Sequence, residues 1–381
     1  MVLTTDDKNY RQCAVTVMDN IADPDFSVDE KGVSNYCYEY KKIEAEEIPA
    51  KEQREAMLER LVAQIKEEGK GNKYDCITGV SGGVDSSYLI LLAKKWGLRT
   101  LIVHFDNGWN TEIAVNNIHN IIEKTGFDLH TIVVNWEEFR DLQLAYIKSG
   151  VVDLEVPTDH AIYATWYKLS KKYNIKTILS GNNVVTEAIM PKSWIFRKTD
   201  STNLINIQKK FGTIPFKTYP YLNVKQQTYQ DFVRRIKTVK PLNLVDYNKK
   251  EAKEIISREF GWQDYGGKHY ESVYTKFFQA YILPHKFGID KRKPHLSNLI
   301  LSGQITREDA LNELAEPLYT DAALKRDIEF VSKKFGISTA VFESYMNLPR
   351  VEHAYYGTQK FITEQYPFLK LLKPLKFIIK K

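Results

Sequence analysis

Segments that are apolar throughout alternate with segments whose apolar residues recur at helical spacing, from residue 51 to about residue 260. An uninterrupted run of apolar and β-branched residues predicts a buried strand, whereas apolar residues three and four positions apart predict a helix. Strands without a polar face are typical of parallel sheets that are covered on both sides. The pattern therefore predicts an α/β fold in which a parallel sheet carries helices on both faces.

The same pattern locates the individual elements. Strands are predicted at 74–80, 99–105, 129–134 and 176–179, and helices at 51–68, after 85, 112–124, after 136, 159–173, 307–314 and 321–334. The first fifty residues are rich in turn formers and predict a small irregular lobe. The predicted division of the chain is an N-terminal lobe at 1–48, a helix and linker at 49–72, a sheet domain at 73–260, and binding loops with a helical C-terminal region at 261–381.

A tight glycine turn, SGGVDS at 81–86, joins the first predicted strand to the helix that follows. Because Gly82 and Gly83 have no Cβ, successive N–H groups can point into one concavity, to which the helix N-terminus adds partial positive charge. The turn is suited to a phosphate chain, although an ordinary glycine turn at a sheet edge is the alternative. The residues predicted to bind the phosphates are Ser81, Gly82, Gly83, Asp85, Ser86 and Ser87.

This turn differs from the phosphate loop of kinase-type nucleotide-binding proteins. No Gly-Lys-Ser/Thr sequence closes it, and no lysine lies within it. Asp85 would repel a phosphate unless a Mg²⁺ ion bridged the two, so the sequence predicts magnesium here.

Further polar residues follow the second and fourth predicted strands. His104, Asp106 and Asn107 end the second strand, and Gly181, Asn182 and Glu187 follow the fourth. Ligands of parallel α/β sheets bind at the carboxyl ends of the strands, so these residues are predicted to lie near the glycine turn. Glu187 is a candidate second metal ligand, or alternatively an acid that stabilises the first turn of a helix.

Two later segments contain candidate binding residues. The loop at 261–272 mixes glycine, aromatic and charged residues; Lys268 and His269 could hold phosphate or transfer protons, and Glu271 could accept a proton. Lys291, Arg292 and Lys293 form a basic run that suits a diphosphate. For both segments the alternative is a solvated charged loop.

Composition narrows the possible functions. The 381 residues are 43% hydrophobic, and the net charge of +6 is milder than the dense basic stripe of a dedicated nucleic-acid-binding protein. There is no signal-peptide pattern and no apolar stretch of membrane-spanning length, so a cytoplasmic protein is expected. The tail at 361–381 alternates apolar residues with lysines, which suits either an apolar docking segment or contact with an anionic membrane surface.

The chain has only three cysteines, an odd number, so a disulfide framework is not expected. Cys13 and Cys37 lie three residues from Thr16 and Ser34, which are the positions where a four-cysteine zinc knuckle would have its other two ligands. Only an incomplete zinc site is therefore predicted, and a metal-free lobe with two buried thiols is the alternative.

The SGGVDS turn resembles that of the PP-loop ATP pyrophosphatases, and the chain as a whole resembles the N-acetyl sugar amidotransferases of bacterial surface-polysaccharide synthesis, which belong to that superfamily. Residues 240–252 also resemble the Pro-Leu strand and helix start that close such sheets. The blocks that carry the resemblance are SGGVDS at 81–86, HFDNGWN at 104–110, PTDHAI at 157–162, LSGNNVVTE at 179–187, PKSW at 191–194, GWQDYGGKHYES at 261–272 and the segment 288–311.

The resemblance implies that residues 73–260 bind ATP and Mg²⁺ and that the chain converts an acetamido group of a sugar, free or nucleotide-activated, into an acetamidino group. It implies a catalytic role for Asp85, with Asp159, Lys268, His269 and Glu271 as candidates for proton transfer. It implies Asp85 and Glu187 as magnesium ligands. The implied substrate-binding residues are His160, Asn182, Glu187, Lys192, Trp194, Lys291, Arg292 and Lys293.

The resemblance also implies partners, because none of the cysteines has the setting of a glutaminase nucleophile. A separate class I glutaminase, with or without a cyclase-like barrel subunit, would supply ammonia; the two resemble the halves of imidazole-glycerol-phosphate synthase. The family usually has two Cys-x-x-Cys pairs near its N-terminus, whereas Thr16 and Ser34 replace two of those cysteines here. The alternatives are a tRNA-modifying PP-loop enzyme similar to lysidine synthase and a non-catalytic nucleotide-binding scaffold.

Overall fold

A five-stranded parallel sheet forms the centre of the molecule in the computed structural model, which describes residues 7–267 and 270–360. The strand order is β3-β2-β1-β4-β5, with Ile77 paired to Leu101 on one side and to Ile178 on the other. The strands are β1 Cys76–Gly79, β2 Thr100–Asp106, β3 Leu129–Val133, β4 Thr177–Leu179 and β5 Lys237–Val239.

Fifteen α-helices are present within the described ranges, together with short 3₁₀ and π-helical segments. The α-helices are α1 Asn35–Glu47, α2 Lys51–Glu68, α3 Val84–Lys95, α4 Glu112–Thr125, α5 Trp136–Ser149, α6 Val156–Lys172, α7 Val184–Glu187, α8 Ser201–Phe211, α9 Val224–Thr228, α10 Lys249–Phe260, α11 Val273–Phe277, α12 Arg292–Leu301, α13 Arg307–Ala315, α14 Asp321–Phe335 and α15 Thr339–Met346. The 3₁₀ segments are Lys192–Trp194, Pro241–Leu244 and His353–Tyr356, and the π-helical segments are Tyr229–Arg234 and Phe278–Phe287. None of the helices within 7–267 and 270–360 has the length and apolar character needed to cross a bilayer.

Both faces of the sheet are covered, because successive side chains of each strand point to opposite sides. Cys76, Ile102 and Leu179 pack in one core with residues of α3, α4 and α10. Ile77 and Val103 pack in another core with residues of α6. This confirms the predicted α/β fold with a parallel sheet between two helical layers.

Most elements lie where the apolar pattern predicts them. The helix α2 has the predicted bounds, and each strand from β1 to β4 lies within or beside its predicted run. Two predictions are wrong. The helix α1 occupies part of the lobe that was predicted to be irregular, and its buried residues are Tyr36, Cys37 and Tyr40 rather than aliphatic ones. The strand expected at Pro241 ends earlier, at Val239, and Pro241–Leu244 forms a 3₁₀ turn because proline has no N–H to donate to a neighbouring strand.

The N-terminal lobe shares a core with the segment that follows β4. Cys13, Met18 and Tyr40 pack against Val184 and Ile189. The lobe is also joined to the rest of the chain by the Lys293–Asp19 ion pair, whose N–O distance is 2.5 Å. The described part of the lobe is thus packed against the main body of the protein.

The C-terminal helices pack on α5 and α8 through a second large core. Phe139 and Leu204 belong to the same core as the buried aromatic residues Phe277 and Phe335 from α11 and α14. Near the carboxyl ends of the strands, the backbone N–H of Thr111 donates to the carbonyl of Glu271 at 2.9 Å. This packing brings residues 270–292 over the edge of the sheet where the glycine turn lies.

Candidate active site

The glycine turn passes so close to α4 that only glycine fits at its centre. Gly82 has a φ of +82°, which favours glycine, and a Cβ at this position would lie 2.9 Å from the backbone oxygen of Ala114. The neighbouring Val80 donates its N–H to Val103 of β2 at 2.9 Å. The shape of the turn is therefore fixed by the backbone of two adjacent elements.

Hydrogen bonds to carbonyl groups hold the turn in place. The Ser87 hydroxyl donates to the Gly83 carbonyl at 2.6 Å, and the Trp262 indole N–H donates to the Gly82 carbonyl at 2.8 Å. Ser81 Oγ accepts the N–H of Gly83 at 3.2 Å. Ser87 is buried and stabilises the turn from beneath, whereas Ser81, Gly83 and Ser86 line the open cavity above it.

Asp85 and Glu187 both line this cavity. The Tyr247 hydroxyl donates to Asp85 Oδ1, and the Asn183 amide lies 3.4 Å from the same oxygen. Burial raises the pKa of Tyr247, and the negative charge of Asp85 raises it further, so the phenol remains a donor. Gly181 lies against the turn, since a Cβ there would be 3.4 Å from Ser86 N.

The residues present fit a magnesium ion. Carboxylate oxygens are hard ligands, and Mg²⁺ commonly uses one or two of them together with the phosphates of a substrate. Within 7–267 and 270–360 no group of three or more His, Cys, Asp or Glu side chains could hold a metal, so the protein alone offers an incomplete cage. Asp85 and Glu187 would hold the ion where a phosphate chain completes its coordination.

The cavity has a volume of about 990 Å³ and extends from the glycine turn along α6 to the start of α12. Drug-sized ligands occupy pockets of about 300–1,000 Å³, so this cavity can hold a nucleotide and part of a second substrate together. One end is apolar and the other is lined by charged side chains.

Trp166 dominates the apolar end. A Cβ on Gly79 would lie 2.8 Å from its indole ring, so the ring packs directly on the end of β1. Phe105 and Ile162 line the same region. The Trp166 N–H and the Thr165 hydroxyl are buried without a hydrogen-bond partner among the described residues, so an incoming ligand could take up their bonds. The region suits a flat aromatic base.

The end of β2 contributes one histidine to the cavity. The contacts of His104 suit a neutral ring that donates from Nδ1 to the Val80 carbonyl at 3.2 Å and accepts at Nε2 from the Asn110 amide at 3.1 Å. Asn107 also lines the cavity. Asp106 does not, because its carboxylate accepts the N–H of Gly108 at 2.9 Å and so caps the turn after the strand.

Glu155, Asp159, Lys198 and Lys291 line the polar end, and together with the buried Asp153 they form a group of five charged residues. Lys198 lies 2.7 Å from Asp153 and 3.0 Å from Asp159. Burial alone would raise the pKa of Asp153, but the charges of Lys198 and Lys291 outweigh it and lower that pKa. Burial lowers the pKa of Lys291. Glu155 completes the group, and burial together with the charge of Asp159 raises its pKa to about 7.

The structure brings most of the predicted site residues to one cavity. Those that line it are Ser81, Gly83, Asp85, Ser86, His104, Asn107, Asp159, Gly181, Asn182, Glu187, Glu271, Lys291 and Arg292. Lys268 and His269 lie outside the described residues, as does the tail at 361–381 for which membrane contact was considered. Their predicted roles stay predictions.

Besides Lys293, which is described below, three residues predicted to bind substrate lie away from the cavity. His160 is fully buried between the carbonyl of Lys198 at 3.0 Å and the N–H of Leu222 at 3.0 Å, and burial lowers its pKa to about 4. Trp194 is buried and donates its indole N–H to the Ala22 carbonyl at 2.8 Å. Lys192 is exposed outside the cavity. The first two are therefore packing residues in this fold.

The basic run at 291–293 does not form one diphosphate clamp. Arg292 pairs with Asp290 at 2.8 Å and donates to the backbone carbonyls of Glu313 and Glu316, which end α13. Lys293 points to Asp19 and lies outside the cavity. Arg292 and Lys293 are thus each paired with a carboxylate of their own. Of the three cations, only Lys291 has no carboxylate within 4 Å of its ammonium group in the described structure.

The cysteine pair does not fit a structural zinc ion. Cys13 Sγ and Cys37 Sγ are 3.6 Å apart, and the N–H groups of Thr16 and Ser34 each lie 3.4 Å from Cys13 Sγ. The geometry is that of a knuckle, but hydroxyls replace two of the four thiolates that zinc requires. The lobe is held together by its apolar core instead.

Several site residues were missed by the sequence interpretation. Trp166, Tyr247 and Trp262 lie in ordinary amphipathic or loop sequence, where an aromatic residue predicts core packing. Glu155 had a usable signal, because it lies four residues before Asp159 and so on the same face of α6 and its N-terminal turn.

Two family models match the chain. The asparagine synthase model matches residues 76–183, which include the glycine turn and strands β1 to β4. The model described as LPS biosynthesis protein WbpG-like, C-terminal domain, matches residues 271–376. No curated protein matches the chain.

Three solved structures are similar to part of this chain at low identity. NMN synthetase from Francisella tularensis is 15% identical, with a TM-score of 0.30 over 60% of this chain and 93% of the other. NH3-dependent NAD synthetase from Campylobacter jejuni is 14% identical, with a TM-score of 0.29 over 56% of this chain and 99% of the other. A predicted subunit of tRNA methyltransferase from Methanocaldococcus jannaschii is 14% identical, with a TM-score of 0.27 over 48% of this chain and 75% of the other.

The parallel sheet, the glycine turn with its acid, and the match over 76–183 define an ATP-dependent enzyme of the PP-loop superfamily. The match to the WbpG-like C-terminal domain over 271–376 covers the C-terminal part of the chain. Together they confirm the resemblance that the sequence blocks predicted, and they support an amidotransferase-like enzyme of lipopolysaccharide biosynthesis.

Proposed function

We propose that this enzyme converts an acetamido group of a nucleotide-activated sugar into an acetamidino group, with ATP consumed to AMP and pyrophosphate. The observation that carries the proposal is one cavity that joins the glycine turn, Asp85 and Glu187 to a separate charged compartment around Glu155. A phosphate site alone would serve any PP-loop enzyme. The adjoining compartment gives room for a second, polar substrate beside the nucleotide.

Each part of the cavity has a role in this proposal. The N–H groups of the glycine turn and the N-terminus of α3 bind the phosphates. Trp166 and Phe105 pack against the adenine base. Asp85 and Glu187 would hold Mg²⁺, which would neutralise charge on the departing pyrophosphate. Tyr247 keeps the carboxylate of Asp85 turned toward the cavity through its hydrogen bond.

The chemistry requires activation because an amide carbonyl is a weak electrophile. In the proposed reaction the amide oxygen attacks the α-phosphorus, the bond to pyrophosphate breaks, and the electron pair leaves with pyrophosphate. Loss of the amide N–H proton to solvent then gives a neutral O-adenylyl imidate. The fixed turn contributes by holding the phosphates in line with the amide, which is the type of positioning that supplies a large part of such rate enhancements.

Ammonia would come from separate proteins. The three cysteines are all buried, and none lines the described cavity. Burial raises the pKa of Cys76 to about 12, which makes it a poor nucleophile. We therefore propose a class I glutaminase as partner, with a cyclase-like barrel subunit as the second candidate component.

The test is a coupled assay with a panel of UDP- and CMP-activated diacetamido sugars, ATP, Mg²⁺ and ammonium chloride. We expect AMP and pyrophosphate in equal amounts and a sugar product whose mass shows exchange of oxygen for an imino group. Asp85→Asn is expected to lower pyrophosphate release at least about a hundredfold, because removal of one electrostatic group from such a site typically costs that much.

The control is Asp25→Asn, which removes an exposed carboxylate in the N-terminal lobe. It should retain wild-type activity, and circular dichroism should show that both variants are folded. Release of ADP and phosphate instead of AMP would exclude the proposed reaction, as would undiminished activity of Asp85→Asn.

A further inference from the structure

The charged compartment has an uneven balance of charges. Glu155, Asp159, Lys198 and Lys291 line it, and the buried carboxylate of Asp153 belongs to the same group through its ion pair with Lys198 at 2.7 Å. With all five ionised, the group has one negative charge in excess. A buried excess charge is costly, so the compartment favours one further positive charge, either a proton or a small cation.

Hydrogen bonding assigns that charge to Glu155. Asp153 accepts from Lys198 at 2.7 Å and from the N–H of Phe196 at 2.7 Å. Asp159 is paired with Lys198 at 3.0 Å. In contrast, the contacts of the Glu155 carboxylate in the described structure are to Thr275 Oγ1 at 3.4 and 3.5 Å, and no basic side chain lies within ion-pair distance.

The elements around Glu155 determine how it titrates. Asp159 faces it from α6 and Asp153 from the segment before that helix, Lys198 from the segment before α8, and Lys291 from the residue before α12. Tyr274 of α11 is also electrostatically coupled to it, and burial keeps that phenol neutral. Burial and Asp159 outweigh the two lysines, so the pKa of Glu155 lies at about 7, where a carboxylate can both accept and release a proton.

We propose that Glu155 binds the ammonium ion that enters the cavity and accepts one of its protons, and that ammonia is thereby released next to the activated amide. The inference rests on the proposed function and adds to it the group that prepares the nucleophile. It distinguishes Glu155 from Asp159, which the sequence had suggested for proton transfer and which Lys198 already neutralises.

The proposed step balances. Ammonium gives one proton to the Glu155 carboxylate, and the lone pair of ammonia forms a bond to the imidate carbon. The carbon–oxygen bond to AMP breaks and its electron pair leaves with AMP. Of the three protons of ammonia, two stay on the new nitrogen and one passes to the sugar nitrogen, which gives the amidinium product. Glu155 then releases its proton to solvent.

The test uses Glu155→Gln, which keeps the shape of the side chain but cannot accept a proton. With the panel sugar that supports turnover, first-turnover pyrophosphate release should stay within a few-fold of wild type. Amidine formation at pH 7 with ammonium chloride should fall about a hundredfold, as expected for loss of a general base. The rate of amidine formation by the variant should recover as pH rises, because the variant depends on free ammonia, whose concentration increases with pH. The wild-type rate should instead level off above about pH 7.

Glu254→Gln, an exposed carboxylate on α10, is the matched control and should behave as wild type. An equal loss of pyrophosphate release and amidine formation in Glu155→Gln would indicate a structural role and overturn the inference. So would an unchanged pH profile. If the wild-type enzyme forms no pyrophosphate with any sugar, the proposed function itself fails.

A second measurement does not depend on turnover. In protein with ¹³C-labelled glutamate carboxyl groups, one resonance should titrate near pH 7 and be absent in Glu155→Gln. Titration of the Glu155 resonance in the ordinary range of glutamate would overturn the inference even if activity is lost in the variant.

Discussion

Two hydroxyl groups, those of Thr16 and Ser34, determine that the knuckle at Cys13 and Cys37 lacks a complete set of zinc ligands. A tetrahedral zinc ion with Zn–S bonds of about 2.3 Å requires sulfur atoms roughly 3.8 Å apart. The two thiols are 3.6 Å apart, and Ser34 Oγ lies 3.6 Å from Cys37 Sγ. Thr16 lies beside Cys13 on the opposite side. The spacing of a zinc site is present, and only the chemistry of two ligands is missing.

We therefore predict that Thr16→Cys/Ser34→Cys binds one zinc ion per chain. Elemental analysis by mass spectrometry measures the metal, and the melting temperature should rise and then fall again when a chelator is added. The single variant Thr16→Cys has three thiolates and should bind zinc more weakly. A double variant that binds no zinc, or whose melting temperature does not respond to the chelator, would contradict this account of the lobe.

At the scale of elements, the glycine turn depends on α4 as much as on its own sequence. A Cβ at Gly82 would meet the Ala114 backbone at 2.9 Å in addition to the strain of its positive φ. Gly126 ends α4 with a φ of +71° and has open space around its Cβ position. A substitution at Gly126 therefore measures the cost of backbone strain alone, whereas the same substitution at Gly82 measures that strain together with the contact with α4.

Gly126→Ala should lower the free energy of unfolding by about 1 kcal/mol, the cost of a left-handed alanine. Gly82→Ala should cost roughly 2–3 kcal/mol because α4 must also move, and it should lose ATP binding while Gly126→Ala keeps it. Urea denaturation and calorimetric titration with ATP measure the two effects. Equal costs and retained ATP binding in both variants would show that the contact with α4 is unimportant.

At the scale of the whole molecule, two buried histidines join distant parts of the chain. His160 links the segments at Lys198 and Leu222. His353 lies between Asp153 and Asn203. Its Nε2 accepts the N–H of Asp153 at 3.4 Å, and its Nδ1 lies 2.9 Å from Asn203 Oδ1. Burial lowers the pKa of each histidine from 6.5 to about 4, so both are neutral in the folded protein.

This predicts how stability depends on pH. The unfolded chain takes up protons on these histidines near pH 6.5 and the folded protein only near pH 4. Their contribution is therefore complete above about pH 6.5 and is lost as pH falls toward 4. The free energy of unfolding by urea should fall by at least roughly 2 kcal/mol between pH 7.5 and 4.5. The slope should be smaller in His160→Gln/His353→Gln, and an identical slope would exclude the two histidines as its cause.

The sequence was informative wherever a feature is local or periodic. The strands, α2, the SGGVDS turn and the strand-end residues His104 and Glu187 follow from apolar runs and from the rule that parallel strands end at one edge. The helix α1 was missed because tyrosine and cysteine form its buried face. His160 and Trp194 were assigned to substrate because a polar or aromatic side chain in a family block gives no sign of which way it points.

The amino-acid sequence thus determined the parallel sheet, its phosphate turn and the family, because these depend on residues close together in the chain. Only the tertiary structure decided which charges remain available. Arg292 and Lys293 are neutralised by Asp290 and Asp19, while among the described residues the Glu155 carboxylate has only the Thr275 hydroxyl beside it. Ion pairing and burial arise from segments far apart in sequence, and they set the protonation on which the proposed chemistry depends.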